Sequence, residues 1–206
     1  MKLHIFNPEH DIALAANQER FTAPHAGRRL RTDLGFIPAF WASEGDMVLV
    51  DDVEAAIEAR RHLSKFGKDV VFVTYADLKA FAFEDVESFQ VDPWGWDRTI
   101  KEQLLRANSN LQSFMPSDDT LAAIREMSSR RFAAEHLLPL LREAGEEKTV
   151  GEARYCTTME VVKQAMAQNV KSVLKSPWSS SGRGVRYVET ASLDAHLEGW
   201  AANVVK

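Results

Sequence analysis

Apolar residues in the first half of the chain fall into four short runs, Leu3 to Phe6, Met47 to Val50, Val70 to Val73 and Phe89 to Val91, with helix-period stretches between them. Such alternation predicts a parallel sheet covered by helices. Between the second and third runs, Val53, Ala56, Ile57, Leu63 and Phe66 share one helical face, and Gly67 supplies a stop. Pro24 and Gly35 bracket another predicted helix, which carries Leu30 and Leu34. Together these elements predict a small doubly wound α/β domain over residues 1–115.

The pattern changes near Phe114-Met115-Pro116-Ser117. Ser117 suits a helix cap, Asp118 and Asp119 suit a first turn, and Leu121, Ile124 and Met127 continue at helical spacing. A second helix is predicted from Arg130 to Arg142, apolar at Phe132, Ala133, Leu137, Leu140 and Leu141, with Pro139 as a kink or early stop. Gly145-Glu146-Glu147-Lys148 reads as a turn. Thr157 and Glu160 have capping-box spacing at the head of a third helix whose buried side is Val161, Val162, Ala165 and Met166. Two strands and a terminal helix with Leu193, Leu197 and Trp200 complete a smaller α+β domain over residues 116–206.

The string Val173-Leu174-Lys175-Ser176-Pro177-Trp178-Ser179-Ser180-Ser181-Gly182-Arg183-Gly184-Val185 reads as strand, lysine, small-residue loop, strand. Lys175 places a cation at the strand end, and Ser179 to Gly184 lack bulk, so their backbone N–H groups can approach an anion closely. That is the outline of a phosphate clamp, although small polar residues also make ordinary hairpin loops. It fits neither common nucleotide motif: G-x-x-x-x-G-K-[ST] is absent, and Gly182-Arg183-Gly184 lacks the third glycine of G-x-G-x-x-G.

On these residues the chain resembles the ATP-grasp superfamily, in which a strand lysine precedes a glycine-rich loop that folds over the phosphates of ATP. The resemblance covers roughly the last 80 residues, and the earlier part only in general architecture. It implies a Rossmann-like preliminary domain over 1–115 and a lid subdomain over 116–206, with ATP as cofactor. It further implies that Lys175, Ser179, Ser180, Ser181, Gly182, Arg183 and Gly184 touch ATP, together with Arg130 or Arg131 at the start of the lid, where the family usually has lysine. Arginine keeps the charge but changes the contact geometry. The acidic and Asn residues that hold Mg²⁺ in such enzymes have no counterpart after the loop. Mg²⁺ is therefore expected only with a further core, and the chain reads as the N-terminal portion of an ATP-dependent carboxylate–amine ligase-like protein.

Composition narrows the alternatives. The 206 residues are 45% hydrophobic, enough for a real core, and the net charge of −5 argues against nucleic-acid binding through a general basic surface. The lone Cys156 has no internal disulfide partner, the N-terminal apolar run is too short for a signal peptide, and no stretch nears the roughly 18 apolar residues of a membrane span. A cytoplasmic location is expected, with a nucleotide and a small-molecule carboxylate as ligands and a homodimer as one possible assembly.

Two further segments sit where open α/β sheets bind ligands, beyond strand carboxyl ends. Asn7, His10 and Asp11 follow the first strand and are candidates for substrate contact; equally, Asp11 or Asn7 caps a helix and His10 is a polar loop residue. Trp94 and Trp96 flank Gly95 after the fourth strand and offer a stacking wall, or simply seal a domain edge while Asp97 caps the next helix. Arg28, Arg29 and Arg31 form a basic cluster that is either an anion site or a solvated face. No His/Cys/Asp/Glu set has metal-ligand spacing. Against the ligase reading stand a non-enzymatic α/β binding module for an anionic metabolite or partner protein, and an interaction domain whose loop is merely flexible.

Overall fold

In a computed structural model, which describes residues 1–61, 65–83, 88–145, 151–179, 182–189 and 193–205, the chain forms two units, Met1–Ile124 and Arg125–Lys206. The first is built on a parallel four-stranded sheet of β1 (Lys2–Ile5), β2 (Met47–Leu49), β3 (Val71–Val73) and β4 (Gln90–Pro93), in the order β3-β2-β1-β4. Leu3 lies opposite Met47 and Val91, and His4 opposite Val48 and Asp92. Because strand side chains alternate, Leu3, Ile5, Met47, Leu49 and Val73 enter one core, while Val48, Val50 and Phe72 enter a second one on the opposite face. The central β2 is buried on both faces, which is why Met47 to Leu49 read as an unbroken apolar run.

Among the described residues six α-helices belong wholly or mainly to this unit, besides 3₁₀ turns at Ile37–Phe40 and Ser109–Phe114: α1 (His10–Ala16), α2 (His25–Leu34), α3 (Val53–Arg61), α4 (Tyr75–Ala80), α5 (Arg98–Ala107) and α6 (Asp118–Met127). Asp97 caps α5 by accepting from the Ile100 N–H at 2.9 Å, and Ile100 and Leu104 then pack into the first core. Helix α3 meets the sheet through the small Ala56, so Ile57, 50% exposed, and Phe66, 73% exposed, lie outside the core that the helical pattern assigned them. Leu63 lies outside the described residues. Helix α2 buries no residue fully: Leu30 is exposed, Leu34 packs half-buried against the second core, and Arg31 adds a polar anchor.

The chain visits β2 and β3 on one side of β1 and returns to β4 on the other. Strand order therefore reverses between β1 and β4, and the crevice beyond their carboxyl ends is where such sheets receive ligands.

The second unit continues with α7 (Arg130–Phe132), a π-helical segment Ala133–Leu137, α8 (Leu138–Glu143), α9 (Met159–Ala167), β5 (Ser172–Lys175), β6 (Val185–Val188) and α10 (Ala195–Val204). The helix predicted over 130–142 is thus continuous in path but widened just before Pro139. Proline has no N–H and crowds the carbonyl four residues back, and the π turn absorbs that misfit. Thr158 caps α9 by accepting from the Val161 N–H at 3.3 Å, one residue later than the predicted Thr157. Glu146, Glu147 and Lys148 of the predicted turn lie outside the described residues. Val162, Met166 and Val188 form a small core, joined by Cys156, Leu174, Leu193 and Leu197. Among the described residues no helix is long and apolar enough to cross a membrane.

Candidate functional site

Strands β5 and β6 pair antiparallel with Lys175 opposite Val185, so the lysine stands at the open end of the ladder where the loop departs. Arg130 organises the first half of that loop. Its Nη1 donates to the Ser176 carbonyl at 2.7 Å and to Ser179 Oγ at 2.9 Å, its Nη2 donates to the Ser179 carbonyl at 2.8 Å, and its backbone N–H donates to the Pro177 carbonyl at 2.9 Å. Trp178 is tied down too: its indole N–H donates to the Arg125 carbonyl at 2.9 Å, and the Arg125 guanidinium lies 3.9 Å from its ring centre.

The far side of the loop closes on this brace. The Ser176 N–H donates to the Gly184 carbonyl at 2.7 Å, and a Cβ on Gly184 would come within 2.3 Å of Ser179 Oγ and 2.7 Å of Ser176 Oγ. Only glycine lets the strands pass so closely. Gly182 at the tip, by contrast, has φ of 72° and nothing within 4 Å of a Cβ. The loop is therefore fastened at its base and open at Gly182. Ser180 and Ser181 lie outside the described residues.

Lys175 and Arg183 are exposed and make no hydrogen bond or ion pair through their side chains to any described residue. Lys175, Arg130 and Arg131 line a cavity of about 810 Å³ whose apolar wall includes Leu138, Met166 and Trp200. Arg131 pairs with Glu135 at 2.8 Å, and its guanidinium lies 5.2 Å from the Tyr155 ring centre. The Glu135 carboxylate, by hydrogen bond and by charge, raises the Arg131 pKa above its ordinary value. Cys156 also lines the cavity, and burial pushes its thiol up, away from the reactive thiolate.

In the first unit the carboxyl ends of β1 and β4 are stitched together by Asn7. Its Nδ2 donates to the Gly95 carbonyl at 2.8 Å and its Oδ1 accepts from the Gly95 N–H at 3.2 Å. Gly95 leaves room for the His10 ring, whose atoms would stand 2.2 to 2.4 Å from a Cβ there. His10 Nδ1 lies 3.0 Å from Asp97 Oδ2, and Asp97 is buried. Asp97 thus serves both as helix cap and as histidine partner. Trp94 and Trp96 diverge: Trp96 packs against the first core, while Trp94, 62% exposed, meets Phe6 at 5.8 Å and Trp41 at 6.1 Å. Asp11 occupies the first turn of α1, half-buried and without a cap bond from its side chain.

The arginines of α2 are dispersed into separate contacts. Arg28 donates to the Ala23 carbonyl, Arg29 pairs with Asp33 at 3.4 Å, and Arg31 is drawn into a buried network. Arg31 reaches Glu9 at 2.9 Å, the Tyr75 hydroxyl at 2.7 Å and Gln103 at 3.3 Å. Burial works against the Arg31 charge, but Tyr75 and Glu9 outweigh it and raise its pKa. Burial raises the Tyr75 phenol in turn, with Arg31 partly opposing. Sequence reasoning named neither Glu9 as the partner of Arg31, nor Trp41, nor Arg125. Each acts on a residue at least 20 positions away in the chain, which no local pattern reports. Among the described residues no group of three His, Cys, Asp or Glu side chains is placed to hold a metal.

Compared with models of known protein families, with curated proteins and with solved structures, the chain has no significant match to any of them.

Proposed function

We propose that residues 116–206 bind the phosphates of ATP as an ATP-grasp-like lid, with residues 1–115 as a Rossmann-like partner domain in an ATP-dependent carboxylate–amine ligase-like protein. One observation carries the reading: a lysine whose side chain has no partner among the described residues stands at the mouth of a hairpin loop whose base is fastened by Arg130 and whose tip is open at Gly182. A loop fixed at its root and open at Gly182 suits a flap, and backbone N–H groups in such a loop suit a polyphosphate. The adjoining cavity has the size and the mixed cationic and apolar lining of a nucleotide site.

The roles differ by residue. Lys175 supplies a point charge to the phosphates, and Arg183 and the loop amides supply further donors. Arg130 has its Nη donors committed to the loop, so it acts by shaping the flap and by adding positive charge behind it. Phosphoryl transfer is mainly a matter of positioning and charge stabilisation, and these residues serve both, with a carboxylate as acceptor. Mg²⁺, when bound with ATP, would neutralise the phosphates further.

Calorimetric titration of the full chain with ATP and Mg²⁺ tests the reading. Saturable binding is expected, weakened by about tenfold or more in Lys175→Ala, as for loss of one charge-assisted contact. Equal heats for the two proteins, or no binding by either, would remove it.

A further inference from the structure

Strand β5 has a neighbour on one side only, because among the described residues the second sheet consists of β5 and β6. The Ser176 N–H donates to the Gly184 carbonyl, and bonded pairs alternate along an antiparallel ladder, so Leu174 and Ser172 also bond toward β6. The N–H and C=O groups of Val173 and Lys175 therefore point outward. They meet no hydrogen-bond partner among the described residues.

The cavity of about 810 Å³ lies on that side. Lys171, Ser172, Val173, Leu174 and Lys175 all line it, and no described residue of β6 does. Successive side chains of a strand point to opposite faces, so a cavity over one face would be lined by every second residue. The unbroken run instead places the cavity along the strand edge, over about 16 Å at the usual strand rise. Its apolar wall includes Leu137, 47% exposed, and Leu141, 38% exposed, which the described residues leave uncovered. Its charged lining among the described residues is one-sided: Arg130, Arg131, Arg154, Lys171 and Lys175 against Glu152. Arg131 and Lys171 have carboxylates of their own in Glu135 and Glu189, but Lys175 has none.

An open ladder edge selects extended backbone, uncovered leucines select apolar side chains, and a cationic lining selects carboxylates. We infer that β5 receives a segment of a partner polypeptide, extended, acidic and apolar at alternate positions, which pairs with Val173 and Lys175 as a third strand and lays its apolar side chains in the cavity. Two strands alone make a marginal sheet, and strand addition at such an edge is an established mode of peptide recognition. No covalent bond is made or broken. The segment claims volume that a nucleotide base would use, so the two ligands exclude each other.

The probe is a capped peptide, Glu-Glu-Val-Thr-Val-Glu-Glu, titrated into the full chain without nucleotide and followed by amide NMR and hydrogen exchange. It should bind saturably, shift the Val173 and Lys175 amide signals and slow their exchange. The same peptide N-methylated at its central residues cannot donate to the edge, and Lys-Lys-Val-Thr-Val-Lys-Lys reverses the charge; each should bind weaker by about tenfold or more. Leu137→Glu, at an exposed position, should weaken binding by a similar factor. The inference is overturned if the acidic peptide does not bind, if the methylated or the basic peptide binds as well, or if folded Leu137→Glu binds like the native chain. Titration with ATP alone is answered separately, so either proposal can fail without the other.

Discussion

The guanidinium of Arg130 holds Ser179 at two points, Oγ at 2.9 Å and the carbonyl oxygen at 2.8 Å, across 49 residues of sequence. A planar fork makes such parallel contacts, and an ammonium does not. Arg130→Lys should therefore loosen the loop root even though the charge is kept. Hydrogen bonds to charged groups contribute on the order of 2 kcal/mol, so amide exchange at Ser176, Trp178 and Ser179 should accelerate about tenfold or more. Exchange measured by mass spectrometry, unchanged in the variant, would show that the loop is held by other means.

Gly184→Ala tests the tight passage from the other strand. Its Cβ would meet Ser179 Oγ at 2.3 Å and Ser179 Cβ at 2.5 Å, closer than packed atoms tolerate. Overpacking of this kind costs about 1–3 kcal/mol. The informative comparison is the double variant Gly184→Ala with Ser179→Gly, which removes the nearer of the two obstructing side chains, leaves Ser176 Oγ to rotate away, and should recover part of the loss in urea midpoint.

At the crevice, Gly95→Ala should expel the His10 ring, because the new methyl would overlap ring atoms at 2.2 to 2.4 Å. Losing the 3.0 Å contact to Asp97 leaves a buried carboxylate with one donor fewer. NMR of the histidine ring should show its signals move as the Asp97 contact is lost, with stability lower by about 1–3 kcal/mol.

The contrast between Asp97 and His10 shows what a single chain reveals. Asp97 is legible as a cap because its partner, the Ile100 N–H, lies three residues on. Its bond to His10 spans 87 residues and exists only because β4 returns beside β1. The central strand β2 was legible for a related reason: burial of Met47, Val48 and Leu49 on both faces leaves an apolar run that survives in sequence. Phe66 and Ile57 misled because periodicity identifies an apolar face without saying that Ala56 is where the helix touches the sheet. Spacing to Glu160 points to Thr157 as the cap, but the cap is Thr158, whose backbone is extended at φ −138° and ψ 159°, a feature that spacing alone does not report. In the loop, composition announced small residues, but the Arg130 fork that shapes them comes from a helix far upstream.

Gly199 provides an opposite case to Gly95. It lies inside α10, exposed, with nothing within 4 Å of a Cβ. Glycine in a helix interior costs roughly 0.5–1 kcal/mol relative to alanine, chiefly through the freedom of the unfolded chain. Gly199→Ala should raise the thermal midpoint of the second unit, and a fall would mean that the glycine has a contact role.

The buried Asp46 sets an acid limit on the first unit. Burial alone would raise its pKa, but its carboxylate accepts from the Lys2 N–H at 2.8 Å, the Ser43 N–H at 2.9 Å and His4 Nε2 at 3.1 Å, and these donors together hold it below the ordinary aspartate value. His4 is buried between two carboxylates, with Nδ1 also 3.1 Å from Asp92 Oδ2. A folded value below the unfolded one means that the unfolded chain binds the proton more readily, so stability rises with pH across that interval. The contribution of Asp46 is thus complete above the ordinary aspartate range and is lost as pH falls through its depressed folded value. Asp46→Asn keeps the shape but cannot accept from all three donors. Its stability deficit relative to the native chain, measured by urea unfolding, should be largest near neutral pH and should shrink on acidification below about pH 4. A deficit that stays constant down that range would mean that the carboxylate charge contributes nothing and that only side-chain shape matters at this position.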